Sequence, residues 1–324
     1  MPLTSKEVKD AARGFGADVV GIGSVNRWNS APAERDPRMI MPRAKSVICV
    51  GFRVHRGDWR GVEEGTYYAG YTLTGFADIN NHAAPMLQRR LASFIEDRGF
   101  ETAAVLHDGA WLGQESGRAA KRPNGADKPK PDVFLNVRIS AALCGVGEIG
   151  LSRVVLTPEF GPAQRLYLLV TEAELEPDPI ITGICDGCGE CIRRCPARAL
   201  AREKSDDVIV PGVAEIRRAG LDVTKCSLAH CGALSPFAPE DVREYTLDII
   251  GGTETHTASG APRPTREEIA ANVTDKIPYA RNMREYFQSP PGLCAGEGCQ
   301  RACLAHLEAC GKLTRRFAHP FREK

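Results

Sequence analysis

Cys185-Asp186-Gly187-Cys188-Gly189-Glu190-Cys191-Ile192-Arg193-Arg194-Cys195-Pro196 decides how this chain is to be read. The run spells C-x2-C-x2-C-x3-C-P, the spacing at which bacterial proteins hold [4Fe–4S] clusters through thiolates. Two intervening residues let three thiolates wrap one cubane, and Gly187 and Gly189 permit the tight backbone path between them. Pro196 then turns the chain away. A zinc site is the alternative, but zinc motifs come as separated C-x2-C pairs rather than as a triple run ending in Cys-Pro.

The fourth cysteine of such a run ligates a second cluster, so further cysteines are required. They are found at Cys294, Cys299 and Cys303, the last two four apart on one face of an expected helix. In two-cluster ferredoxins each cluster takes three cysteines from one motif and one from the other. By that logic Cys185, Cys188 and Cys191 are completed by Cys303. Cys195 then pairs with Cys294, Cys299 and one more, for which Cys226 is preferred and Cys231 is the alternative. Cys310 reads as a structural thiol, and Cys49, inside the apolar run Ser46–Gly51, as a core residue.

The rest of the composition narrows the class. A chain of 324 residues is far longer than two clusters need, so it carries a sizeable core of its own. A formal net charge of +1 argues against a broad nucleic-acid surface. No apolar run is long enough for a membrane span, and the opening residues have neither a signal core nor a twin-arginine leader. Twelve cysteines without such a leader are expected to serve as cluster ligands in a reducing cytoplasm.

Strand and helix patterns alternate through the first half. Thr4-Ser5-Lys6-Glu7 reads as a capping box before a helix, and Asp18–Gly23 and Ser46–Gly51 as buried strands. A long helix is expected over 76–98 with Gly99 at its cap, then a strand over Thr102–Leu106. A Gly/Lys/Pro-rich loop covers 109–131 and a helix Val137–Leu143. Arg153–Thr157 and Arg165–Thr171 read as a hairpin around Pro158–Pro162. The acidic, Pro-containing tract 172–179 marks a domain boundary, which gives an α+β core over 1–178 and a cluster domain over 179–324.

Several stretches together resemble the reductive dehalogenase family and its relative, the epoxyqueuosine reductases. They are Gly145-Val146-Gly147-Glu148-Ile149-Gly150, Leu156-Thr157-Pro158-Glu159-Phe160-Gly161-Pro162, Val170-Thr171 and Leu175-Glu176-Pro177-Asp178, followed at once by the cysteine run. Asp18–Gly23 and Lys45–Ile48 fit as well. The resemblance implies a nitroreductase-like α/β core that binds a corrinoid (cobalamin), with a ferredoxin-like domain carrying two [4Fe–4S] clusters beside it. Electrons would pass from the clusters to cobalt, which reduces the substrate. It also implies a proton donor, for which Tyr68, Tyr71 and Asp132 are the candidates, with Arg138 as a positioning residue. Gly145, Gly147, Thr157 and Phe160 are the expected cofactor contacts.

The chain also departs from the pattern of the family it resembles. Gly145-Val146-Gly147-Glu148 stands where the queuosine enzymes carry Gly-Leu-Gly-Trp, and Leu304 follows Cys303 where proline is usual. A helical-repeat tail for tRNA is not seen. The reading is therefore a cytoplasmic iron–sulfur reductase acting on a small organic substrate, halogenated ones included, and fed by a ferredoxin- or flavodoxin-type donor. An epoxyqueuosine-type reductase acting on tRNA is the second reading. It would use the basic loop bearing Arg118, Lys121, Arg122, Lys128 and Lys130. A pure electron carrier is the third, against which the size of the first half argues.

Overall fold

A computed structural model describes residues 3–105, 122–230, 232–235, 238–274, 276–277, 294 and 298–319. The chain opens with α1 (Ser5–Gly14), whose Thr4 accepts from Glu7 N while the Glu7 carboxylate accepts from Thr4 N at 2.9 Å, the reciprocal box expected. β1 (Val19–Ser24), the short α2 (Pro37–Ile40), β2 (Ser46–Arg53) and α3 (Arg56–Glu63) follow. The next helix starts six residues earlier than its apolar spacing indicates. Gly70–Ala83 winds as a wide π-helix and tightens into α4 (Ala84–Glu96) where Pro85, lacking an N–H, interrupts the ladder. Gly99, at φ +87°, closes the turn before β3 (Thr102–Val105). α5 (Val137–Leu143) takes the expected residues. β4 (Glu148–Ile149), β5 (Val155–Leu156) and β6 (Gln164–Thr171) complete the first part.

The central sheet is antiparallel throughout, in the order β1-β2-β6-β3. Its two middle strands alternate between two cores, as the period of two requires. Ile48, Val50, Phe52, Tyr167 and Leu169 face α1, α3 and α4, whereas Val47, Cys49, Leu166, Leu168 and Val170 face α5 and the small strands. Cys49 is fully buried there, beside Cys144.

The expected hairpin of 153–157 with 165–171 does not form. β5 pairs with β4 instead, and β6 inserts between β2 and β3. A strand apolar on both faces is stable only with neighbours on both edges and cover on both sides, which a hairpin cannot supply. Thr157 and Gly161 close their own bridge, with both N–H···O distances 2.9 Å, and that short loop turns the chain into the sheet.

After the cysteine run come α6 (Glu190–Arg193), β7 (Leu200–Ser205), β8 (Val208–Val210), β9 (Ala214–Ile216), β10 (Ala219–Leu221), α7 (Val223–His230), α8 (Glu240–Gly251), α9 (Arg266–Ile269) and α10 (Cys299–Ala309). The two parts of the chain share a core. Ile184, Leu304, Leu307 and Leu313 pack into the same apolar cluster as Val8, Ile48 and Leu91. Among the described residues no helix is long and apolar enough to cross a membrane.

Candidate functional site

Two cavities gather the cysteines. The outer one begins where Glu148 of β4 accepts hydrogen bonds from the backbone N–H groups of Ile184 (2.6 Å) and Cys185 (3.0 Å), fastening the start of the loop to the first part of the chain. Gly187 and Gly189 then adopt φ of +72° and +81°, so the loop curls back on itself. Cys185, Cys188 and Cys191 line this cavity together with Cys303 of α10, against Leu151, Leu156 and Leu307. Burial first, and then the neighbouring thiols, push Cys191 up to about 11 and Cys303 higher still. Asp186 and His306 flank the cavity 2.8 Å apart, and His306 holds the Asp186 carboxyl down at about 2.

The inner cavity, of about 170 Å³, is lined by Cys195, Cys226, Cys294 and Cys299. Cys226 comes from α7, and Cys299 opens α10. Burial pushes the Cys299 thiol up to about 12, with Cys226, Cys195 and Cys191 adding to it and Arg138 opposing. Cys231 lies outside the described residues, and Cys310 is exposed at the end of α10, lining neither cavity, with its sulfur 3.6 Å from His306 Nε2.

The sulfurs are too far apart for single metal ions. A tetrahedral zinc with Zn–S ≈ 2.3 Å holds its sulfurs ~3.8 Å from one another. Among the described residues the only trio of ligand atoms within 4.8 Å is Asp186, Cys188 and His306, so no three sulfurs approach that closely. Sets of four soft thiolates at wider spacing, buried or half-buried, fit polynuclear clusters instead.

The inner cavity also has a polar wall. Asn136 caps α5, accepting from Arg138 N and Ile139 N, and the Arg138 guanidinium reaches the Arg153 carbonyl at 2.6 Å. Arg153 pairs with Asp206 at 2.7 Å. Arg165 donates to Gly75 O at 2.8 Å and lies 3.7 Å over the Phe76 ring. Tyr71, only 2% exposed, and His230 line the same wall. Burial pushes the Tyr71 phenol up, lowers Arg138 to about 10, and lowers His230 to about 4 with help from Arg165 and Arg138.

No family model matches the chain. The tetrachloroethene reductive dehalogenase of Dehalobacter restrictus is 36% identical over 89 residues, 26% of this chain and 16% of that protein. The epoxyqueuosine reductase of Bacillus cereus is 31% identical over 121 residues, 37% of this chain and 28% of its own. That of Gloeobacter violaceus is 22% identical over 279 residues, covering 78% of this chain and 74% of the relative. The chain is a relative of the reductive dehalogenases and the epoxyqueuosine reductases. It matches less than a fifth of the dehalogenase's length and less than a third of the Bacillus cereus enzyme's. A solved structure titled as a reductive dehalogenase suggesting a mechanism for B12-dependent dehalogenation aligns with a TM-score of 0.50 at 14% identity, over 96% of this chain and 37% of its own, which places the fold with that of its relatives.

The residues that the likeness to these relatives singles out are scattered. Tyr71 and Arg138 meet at the inner cavity, whereas Tyr68 is packed in the core among α3 and the π-helix and lines neither cysteine cavity. Tyr67, next to Tyr68, is exposed, and Asp132 is exposed ahead of the Asn136 cap. Gly145 and Gly147 are needed for packing, since an added Cβ would stand 2.4 Å from Pro179 O and 2.2 Å from Leu156 O. Thr157 serves its own turn, accepting from Phe160 N at 3.1 Å. Phe160 lines a third cavity of about 290 Å³ together with Leu313, Arg315 and Phe317. Neither this cavity nor the inner one would hold a corrinoid, which exceeds the drug-sized molecules that fill pockets of ~300–1,000 Å³. The described residues thus fit two clusters and do not fit a corrinoid.

His230 went unnoticed in the sequence, as did the convergence of Arg153 and Arg165. The spacing Cys226–His230, one helical turn, was the signal available for the histidine.

Proposed function

We propose that this chain is an iron–sulfur oxidoreductase. In this reading Cys185, Cys188, Cys191 and Cys303 hold an outer [4Fe–4S] cluster, and Cys195, Cys226, Cys294 and Cys299 an inner one. Bound there, the clusters supply single low-potential electrons. The observation that carries it is the division of eight cysteines into two cavities of four, the outer taking three from the run and Cys303 from α10, the inner taking Cys294 and Cys299 together with Cys195 and Cys226. Names of the relatives as reductases support the direction of the chemistry.

The inner wall supplies the rest. Tyr71 keeps its proton at neutral pH and can give it to a reduced product. Arg138 stays charged and orients an electron-rich group, while neutral His230 offers one donor and one acceptor. A small organic substrate reaching that wall is the reading the geometry favours, halogenated compounds included. No step through a corrinoid is assigned.

A second reading, reduction of epoxyqueuosine in tRNA, is favoured by the Gloeobacter violaceus relative, whose match extends over most of both chains. On the basic loop that would meet RNA, Arg122, Lys128 and Lys130 are exposed, while Arg118 and Lys121 lie outside the described residues.

The test is anaerobic turnover of the reconstituted protein with reduced methyl viologen. Halogenated phenols and an epoxyqueuosine-bearing tRNA stem loop are offered separately. Viologen oxidation with halide release, lost in Tyr71→Phe, supports the first reading, and oxidation with the stem loop alone supports the second. No oxidation with either, in protein carrying its clusters, would overturn both.

A further inference from the structure

The outer loop is ringed by cations, and the ring has a use. Arg193 donates to the Cys188 carbonyl at 3.1 Å, and Arg202 to the Gly187 carbonyl at 2.5 Å. The two guanidiniums meet at Gly189, where an added Cβ would lie 2.9 Å from Arg202 Nη2 and 3.4 Å from Arg193 Nη1. On the other side Lys312 donates to Ile184 O at 3.1 Å. Arg194 and Arg198 follow within the next turn and are exposed, as Arg193 and Arg202 are. Of the acids nearby, Glu190 pairs with Arg193 and Asp186 with His306, Glu203 is exposed, and Lys204 pairs with Glu254. From Cys185 to Lys204 five cations stand against three acids. Gly187 has open space around it, and Cys185 and Cys188 are half-buried, so this is the edge at which an outer cluster comes nearest to solvent.

We propose that Arg193, Arg194, Arg198 and Arg202 form the docking surface for an acidic one-electron carrier protein of the flavodoxin or ferredoxin class. The proposal rests on the two-cluster reading above. Charge complementarity raises encounter rates and fixes orientation, which a transient electron-transfer complex needs more than affinity. The loop carbonyls gripped by Arg193 and Arg202 belong to the ligand segment itself, so a partner seated on those guanidiniums lies against the cluster's edge. RNA is disfavoured as the occupant, because no aromatic residue lies between Cys185 and Lys204 to stack on bases. The step moves one electron: flavodoxin hydroquinone becomes the semiquinone, and the outer cluster is reduced. No bond in this chain forms or breaks.

The experiment uses reconstituted, cluster-bearing protein and a photoreduced acidic flavodoxin. Cluster bleaching is followed by stopped flow against ionic strength, and the affinity for oxidised flavodoxin by calorimetry. Arg194→Glu/Arg198→Glu, which spares the two guanidiniums that grip the loop, is compared with Arg13→Glu, an exposed arginine on α1 outside the cysteine run. The double variant is expected to lower both the bimolecular rate and the affinity by about tenfold or more, and to lose the salt dependence of the rate. Bleaching by dithionite, and the rate of Arg13→Glu, should stay unchanged. Equal flavodoxin rates in wild type and double variant would overturn the docking surface alone, and so would loss of RNA-oligonucleotide binding in the variant with flavodoxin reduction intact. Failure of clusters to assemble at all would overturn the reading on which it rests.

Discussion

Cys299 and Cys303 stand one turn apart on α10 and line different cavities, Cys299 the inner and Cys303 the outer. Side chains at i and i+4 are neighbours on a helix, with Cβ atoms ~5–6 Å apart. A single helical turn therefore bridges the two ligand sets, and any shift of α10 moves both. Substituting each cysteine separates them. Cys303→Ala is expected to lose the outer cluster and Cys299→Ala the inner, each leaving about four irons per chain by chemical analysis. Equal loss of all iron in both variants would mean that the two sites do not assemble independently.

α10 is held by a two-ended clamp. Arg56 and Glu63, at opposite ends of α3, pair with Glu308 and Arg301 of α10, the first pair at 3.0 Å. The helices run antiparallel there, so each end matches a cation with an acid. The Glu63 carboxylate is fully buried and also takes Arg60 at 2.6 Å. Glu63→Gln is expected to destabilise the apo-protein by about 1–3 kcal/mol in urea unfolding, because it weakens the charge-assisted bonds that the buried carboxylate makes to Arg301 and Arg60. Replacing Arg301 by Met in the same chain should recover part of the loss.

His230 gives the apo-protein a pH dependence. Its folded value, about 4, lies below the ordinary imidazole value of 6.5 because burial and two arginines disfavour the charged ring. Between these limits the unfolded chain binds more protons, so stability rises with pH. It is fully present above about pH 6.5 and is lost as pH falls towards 4. Urea midpoints measured across that window should fall with acid in wild type, and less steeply in His230→Gln.

Glu148 should matter to the outer cluster without touching it. Glu148→Gln weakens the acceptor for Ile184 N and Cys185 N, a cost of about 1–3 kcal/mol for buried donors. Iron release to a chelator is expected to quicken, first from the outer site.

The grouping of the cysteines into two sets was legible because such motifs have fixed spacings within one short loop, and the capping box and α5 because their signals are local. β6 was misread as a hairpin strand because its partners, β2 and β3, lie far away in sequence. The clamp was invisible for the same reason, since Glu63 and Arg301 are 238 residues apart. Gly145 and Gly147 could be recognised as necessary but not why, as close backbone packing and cofactor approach leave the same mark in a sequence. Arg165 and His230 acquire meaning only where the π-helix, β6 and α7 converge.

The central claim is two polynuclear clusters in two cysteine cavities, and metal content measures it most directly. After anaerobic reconstitution, the account expects about eight irons and as much acid-labile sulfide per chain. Dithionite reduction should give paramagnetic signals broadened by two neighbouring clusters. Two tightly bound zinc ions, or about four irons with a single unbroadened signal, would contradict it.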